Sequence, residues 1–177
     1  ANGNGVLVAI LDTGISLDHA AFAGRLALPG IELGVPVSPG AERLQQVDSN
    51  HDGIMDGAIG HGTHVAGIVL AVAPKVRLLP VRVLDSDGVG SAFGVANGIV
   101  QATLRGARVI NMSLGMNGTS TAVQVAIRYA RDHGAVVVAP TGNDRLGRPI
   151  FPAAMPEVVA VAGVDSLDRH ASFTNFG

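Results

Sequence analysis

The chain has 177 residues, 47% of them hydrophobic and 15% charged, which is enough apolar material for the core of one domain. A net charge of -2 supplies no basic excess to neutralise phosphates and argues against nucleic acid as a partner; no apolar run reaches the ~20 residues of a membrane span. The absence of cysteine removes disulfides, thiolate nucleophiles and Cys-ligated zinc together.

The first residues, ANGNG, have neither the basic start nor the apolar centre of a signal peptide, so an exported protein would be present here in processed or trimmed form. Residues 6–11, 76–84, 108–112, 135–139 and 158–164 are short β-branched runs, apolar on both faces, as buried parallel strands are. Between them, residues 61–72, 91–104 and 120–133 have helical spacing, the last followed by Gly134 where a helix should stop. Residues 27–60, rich in Gly, Pro and acidic side chains, are expected to form a surface excursion. Strand alternating with helix predicts an α/β fold, a doubly wound and mostly parallel sheet with helices on both faces. Ligands of such sheets bind beyond the carboxyl ends of the strands, and Asp12, Ser113 and Asn143 all fall at that edge.

Acyl transfer requires a base, a carboxylate that fixes its tautomer, donors for the developing oxyanion, and a nucleophile. His61, at the start of an apolar helix in HGTHVAG, suits the base; Asp12, closing the run VLVAILD, suits the carboxylate; Asn143, in TGN, suits the oxyanion donor. Each has a plain structural alternative, since an Asp after a strand or a Gly-Asn pair often only makes a turn.

Five segments taken together carry more. ILDTG, GHGTHVAG, NMSLG, VVVAPTGN and FPAAMPEVVAVAGVDSLDRHASFTNFG, in that order, resemble the subtilisin-like serine proteases over nearly the whole chain. The resemblance implies a secreted endopeptidase in which Asp12 and His61 belong to the catalytic triad, Asn143 supplies the oxyanion hole, and Thr141 and Gly142 before it bind substrate. It also implies a polypeptide substrate held as an added strand between Gly88, Val89 and Gly90 on one side and Ser113, Leu114 and Gly115 on the other. His64 matches a non-catalytic position and is expected to be a packed or hydrogen-bonded core histidine. Two other readings are weaker. A Rossmann-type phosphate loop at Gly88, Gly90 and Gly94 has one residue too many and lacks the acidic residue after the next strand; a zincin would need histidines four apart with a Glu beside the first, where His61 and His64 are three apart and flank Gly62.

The family's nucleophile lies in a GTSMA-like segment after the oxyanion Asn, and no such segment follows Asn143 here. Ser120, in GTSTA, precedes Asn143 and is better placed to cap a helix. Residues 1–177 are therefore expected to be a single subtilisin-like catalytic domain truncated before its serine segment, and inactive alone. The alternative is a non-catalytic pseudoprotease or peptide-binding module. Loss of the covering segment would expose apolar positions such as residues 136–138, leaving that segment or another copy of the chain as a partner.

Residues 48–56, DSNHDGIMD, space oxygen donors like the first part of an EF-hand loop. Calcium is the expected ion, held by Asp48, Asn50, Asp52, the Ile54 carbonyl and Asp56, although Ile59 stands where the bidentate Glu would be. Subtilisin-like proteases that carry extra calcium loops before the catalytic His support this reading by resemblance.

Overall fold

A computed structural model describes residues 2–33 and 38–177. Six parallel strands form one sheet: β1 (Leu7–Asp12), β2 (Ile31–Glu32), β3 (Arg77–Arg82), β4 (Val109–Met112), β5 (Val136–Pro140) and β6 (Val158–Val161), in the spatial order β2-β3-β1-β4-β5-β6. Among the described residues three α-helices, α1 (His61–Val72), α2 (Ala92–Leu104) and α3 (Thr121–Asp132), follow β2, β3 and β4 in turn. The order turns outward in both directions from β1, as a doubly wound sheet requires. Five strands and three helices thus stand where the apolar runs put them, within two or three residues. β2 was not expected: its two residues pair with Val81 and Arg82 inside what reads as a surface excursion, and so short a strand leaves no periodic pattern. Residues 34–37 of that excursion lie outside the described residues.

The helix ends follow their local chemistry. Ser91 Oγ accepts from the Gly94 N–H at 3.0 Å to cap α2, and Ser120 Oγ accepts from the Val123 N–H to cap α3, which is the role its sequence position suggested. Beyond α3, Gly134 takes a φ of 80°.

Strand residues alternate between the two faces of the sheet. Ala9, Leu11, Leu79, Val81, Ile110, Met112 and Val137 bury against α2 and α3, forming the larger core with Ile99, Val123 and Ile127. Val8, Ile10 and Leu78 point the other way, into a smaller core with Ala66 of α1, Ile15 and Phe22. Among the described residues α1 is the one α-helix on that second face, and it lies over β1. The β5–β6 part of the face is open: Val136 is 48% exposed and Val159 and Val161 are 50% exposed. Exposure within residues 136–138 therefore alternates instead of running through, because Val137 points into the larger core at 1% exposure.

The register sets the functional edge. Leu11 pairs with Met112 and Asn111 with Val138, so the residues that follow β1, β4 and β5 emerge side by side at the carboxyl end. No described helix is long and apolar enough to cross a membrane.

Candidate active site

Asp12 ends the central strand and is fully buried. Its Oδ1 accepts the Thr13 N–H at 2.7 Å and meets His61 Nδ1 at 2.7 Å. His61 is the first residue of α1, and its side chain is 45% exposed, so one end of the imidazole is held while the ring still faces solvent. That hydrogen bond is the largest cause raising the His61 pKa above the ordinary value near 6.5; burial opposes it, and the charges of Asp12 and Glu42 add to it.

The helix reaches this close to the strand because residue 62 has no side chain. A Cβ at Gly62 would collide with the carbonyl oxygen of Gly14 and stand 3.0 Å from Asp12 Cβ. Gly60 turns the chain into the helix with a φ of 89°. Glu42 secures the turn: Oε2 accepts from the Thr63 hydroxyl at 2.8 Å, Oε1 accepts the Gly60 N–H, and Thr63 Oγ1 accepts the Ser16 N–H at 2.8 Å. Glu42 was not singled out in the sequence, where it sits in an irregular stretch with no motif around it.

A cavity of about 500 Å³ opens beside His61. Gly88, Val89 and Gly90 line one part of it and Ser113, Leu114 and Gly115 another, with Thr13 also in its wall. The structure thus brings both expected substrate segments to one groove with the histidine. Asp85 shapes the first segment, its Oδ1 accepting the Asp87 N–H at 3.0 Å and the Val89 N–H at 2.9 Å.

Thr141, Gly142 and Asn143 follow β5 at the same edge but do not line this cavity. Thr141 and Gly142 are buried, and Asn143 is exposed. Their loop is organised by Asn175, which is fully buried. Asn175 Nδ2 donates to the Thr141 carbonyl at 3.0 Å, and Oδ1 accepts the N–H groups of Asp144 at 2.8 Å and Leu146 at 3.0 Å. The Asn175 N–H donates to the Gly142 carbonyl at 2.8 Å, and the Thr141 hydroxyl donates to the Asn175 carbonyl at 2.8 Å. Asn175 lies within a segment that carried the family resemblance, yet nothing local marks it as the partner of a loop more than thirty residues away.

His64 departs from expectation. It is exposed, on the outer side of α1, where it lines a shallow cavity with His19, Phe22 and Ile68. That side of α1 is not covered by the sheet, so no core is available to it.

The acidic loop is also differently arranged. Asp48 accepts the Asp52 and Gly53 N–H groups at 3.1 and 3.2 Å, Asn50 Oδ1 accepts the Asp52 N–H at 2.9 Å, and Asp52 accepts the Ile54 N–H at 2.8 Å. Asp56 points inward, accepting the N–H groups of Gln45 at 3.1 Å and Gln46 at 3.0 Å together with the Ser86 hydroxyl, and its pKa is lowered chiefly by that hydroxyl. Asp56 therefore does not fit the expected five-donor set, whereas Asp48, Asn50, Asp52 and the Ile54 carbonyl are hard oxygen donors of the kind calcium takes. Among the described residues no three His, Cys, Asp or Glu side chains cluster as a metal site. Across the loop's inner side Asp87 accepts the Asn50 N–H at 2.9 Å and the Gly57 N–H at 3.0 Å, so the loop is fastened to the segment that leads into Gly88.

A buried Asp at a strand end paired with a His that opens a helix, beside a groove between two strand-end segments, is the arrangement of an acyl-transfer hydrolase. The chain belongs to the subtilase family, the Peptidase_S8 family of serine endopeptidases, whose model matches residues 3–177. It is 38% identical to thermitase of Thermoactinomyces vulgaris over 187 residues, a match that takes in 100% of this chain and 61% of thermitase. To subtilisin Savinase of Lederbergia lenta it is 36% identical over 184 residues, covering 99% of this chain and 61% of that protein. Among solved structures it resembles the prenylagaramide maturation protease PagA with a TM-score of 0.75 and 28% identity, covering 97% of this chain and 58% of the other. The chain thus spans about three-fifths of the length of these relatives.

Proposed function

We propose that residues 1–177 form the larger part of one subtilisin-like serine endopeptidase domain and supply its base, orienting carboxylate and oxyanion donor. A serine from a segment not in this chain would act as nucleophile. The observation that carries this reading is the 2.7 Å contact between the buried Asp12 carboxylate and His61 Nδ1. With Nδ1 held, Nε2 is left to take the proton of an attacking hydroxyl and to return it to the leaving amine. Asp12 stabilises the imidazolium formed in between, in keeping with the raised pKa of His61. Asn143, exposed at the adjacent strand end, would donate its side-chain amide to the tetrahedral oxyanion.

The substrate is an extended polypeptide, pairing by its backbone with residues 88–90 and 113–115. The open half of the second sheet face, with Val136, Val159 and Val161 exposed, is where the serine-bearing segment, or failing that a second copy of the chain, would pack. By the family resemblance the protein acts outside the cell.

The experiment is peptide hydrolysis by this chain alone and by the same chain extended with a GTSxA-bearing segment. The chain alone is expected to give no hydrolysis above background, and the extended form is expected to cleave and to lose that activity when His61 is replaced by alanine. Cleavage by the chain alone that survives His61→Ala would refute the assignment. An extended, folded form that binds peptides in the groove without cleaving them would favour a peptide-binding module, the reading supported by a groove whose described walls at residues 88–90 and 113–115 need no serine.

We further propose that calcium binds the loop at Asp48, Asn50, Asp52 and the Ile54 carbonyl and steadies it against residues 85–87. Its melting temperature is then expected to rise by several degrees between chelator and millimolar calcium, through preferential binding to the folded state. Asp52→Ala should abolish the rise, and an equal melting temperature in both conditions would remove calcium from the picture.

A further inference from the structure

The start of α1 is capped from outside the helix. Its N-cap residue is Gly60, which has no side chain to accept a hydrogen bond, and its first turn holds no acidic residue, whereas α2 and α3 are capped by their own serines. Glu42 takes over that part: one carboxylate oxygen accepts the Gly60 N–H and the other accepts the Thr63 hydroxyl at 2.8 Å. A negative charge at that end also suits the positive end of the helix dipole.

Glu42 is tied equally to the chain that leaves β1 after Asp12. Its N–H donates to the Ile15 carbonyl at 3.0 Å, and the same Thr63 hydroxyl that donates to Glu42 accepts the Ser16 N–H at 2.8 Å. Two glycines let the three segments meet at backbone contact. A Cβ at Gly14 would stand 2.8 Å from the Glu42 nitrogen, and one at Gly62 would collide with the Gly14 carbonyl oxygen. Glu42 therefore joins the two stretches of chain from which Asp12 and His61 reach each other.

Its charge is placed to the same end. The hydrogen bond from His61 to Asp12 is the largest cause favouring the protonated ring, and the charge of Glu42 adds to it through space. None of the other residues lining the groove is ionisable, and the cation that feels Glu42 is Arg82 of β3, whose guanidinium donates to the Ala41 carbonyl at 3.3 Å.

We propose that Glu42 is a positioning residue for the reaction, a second carboxylate that seats the first turn of α1 against the end of β1 and sustains the imidazolium formed when His61 takes the proton of the attacking hydroxyl. The inference rests on the reading of His61 as the base. Glu42 itself touches neither substrate nor the reacting atoms; it acts through Gly60, Thr63 and the field at the ring.

The test follows the His61 ring protons by NMR through pH titrations of this chain as wild type, Asp12→Asn, Glu42→Gln and Glu42→Ala. Glutamine keeps the shape of Glu42 and an oxygen for the Gly60 N–H but not the charge. His61 of Glu42→Gln is therefore expected to lose its proton at lower pH than in the wild-type chain, by less than in Asp12→Asn. In the serine-complete protease the acidic limb of kcat against pH should move down in step with that titration. Glu42→Ala, which also releases Gly60 and Thr63, should lower kcat by up to about a hundredfold with KM little changed, the scale of a catalytic group misplaced by about 1 Å. A folded Glu42→Gln chain whose His61 titrates as in the wild type, with Asp12→Asn shifted, overturns the inference and leaves the pairing of Asp12 with His61 standing. So does a Glu42→Ala protease with wild-type kcat, and Glu42→Gln decides alone should Glu42→Ala not fold. If Asp12→Asn leaves His61 unmoved, the reading of His61 as the base falls and the inference falls with it.

Discussion

Replacing Asp12 by asparagine is expected to lower kcat of the serine-complete protease about ten-thousand-fold, with KM little changed. That is the scale seen in hydrolases of this type when the orienting carboxylate becomes an amide. The fully buried Asp12 carboxylate fixes which nitrogen of His61 carries the proton, through one contact of 2.7 Å. An asparagine amide of the same shape can present its N–H to that nitrogen and so select the wrong tautomer. The groove segments at residues 88–90 and 113–115 are untouched, which is why binding should persist.

The same substitution has a consequence that needs no catalysis. The hydrogen bond to Asp12 is the first cause of the raised His61 pKa, so the imidazole of Asp12→Asn should titrate lower than in the wild-type chain. A histidine whose folded pKa lies above its unfolded value near 6.5 stabilises the fold fully below that value. The contribution is lost as pH rises through the raised folded value. Denaturant unfolding of the two chains should therefore show their stability difference shrinking as pH rises above about 6.5. An NMR titration in which His61 is indifferent to the substitution would remove Asp12 from its role.

Asn175→Ala is expected to destabilise the chain by about 2–3 kcal/mol, the scale for stranding buried hydrogen-bonding groups. The side chain satisfies the Thr141 carbonyl and the N–H groups of Asp144 and Leu146 at once, and alanine can satisfy none of them. The loss should be read in urea unfolding and, more locally, as faster amide exchange at residues 141–146. Asn143 is displayed by this loop, so the serine-complete protease should also lose kcat although Asn175 does not touch substrate. A change below about 0.5 kcal/mol, the range of ordinary surface substitutions, would show that the loop is held by its own turns.

Much of this was legible in the sequence. β1, β3, β4, β5 and β6 announced themselves as short β-branched runs because a strand buried on both faces needs apolar residues at consecutive positions. The helices were legible from spacing and from the serines that cap α2 and α3. Asp12, His61 and Asn143 were singled out through their motifs as candidates, and the structure brings the first two into direct contact. β2 was not legible, since two residues carry no period. His64 was misplaced because helical spacing says which residues share a face, but the fold decides what, if anything, covers that face. Asp56 looked like a ligand from its spacing alone, while its turn inward depends on Ser86, thirty residues further on.

The sequence by itself determined the class of fold and the family and pointed to the reactive groups proposed here, because each of these is written in short-range patterns: strand and helix periods, caps, and motifs a few residues long. Tertiary structure decided how those groups are held. Glu42 bracing the start of α1, Asn175 fastening the loop of Asn143, and Ile150 wedged between Gly115 and Gly142 all join segments brought together only when the sheet forms. Contacts of that kind depend on strand order and register, which no local stretch of sequence displays.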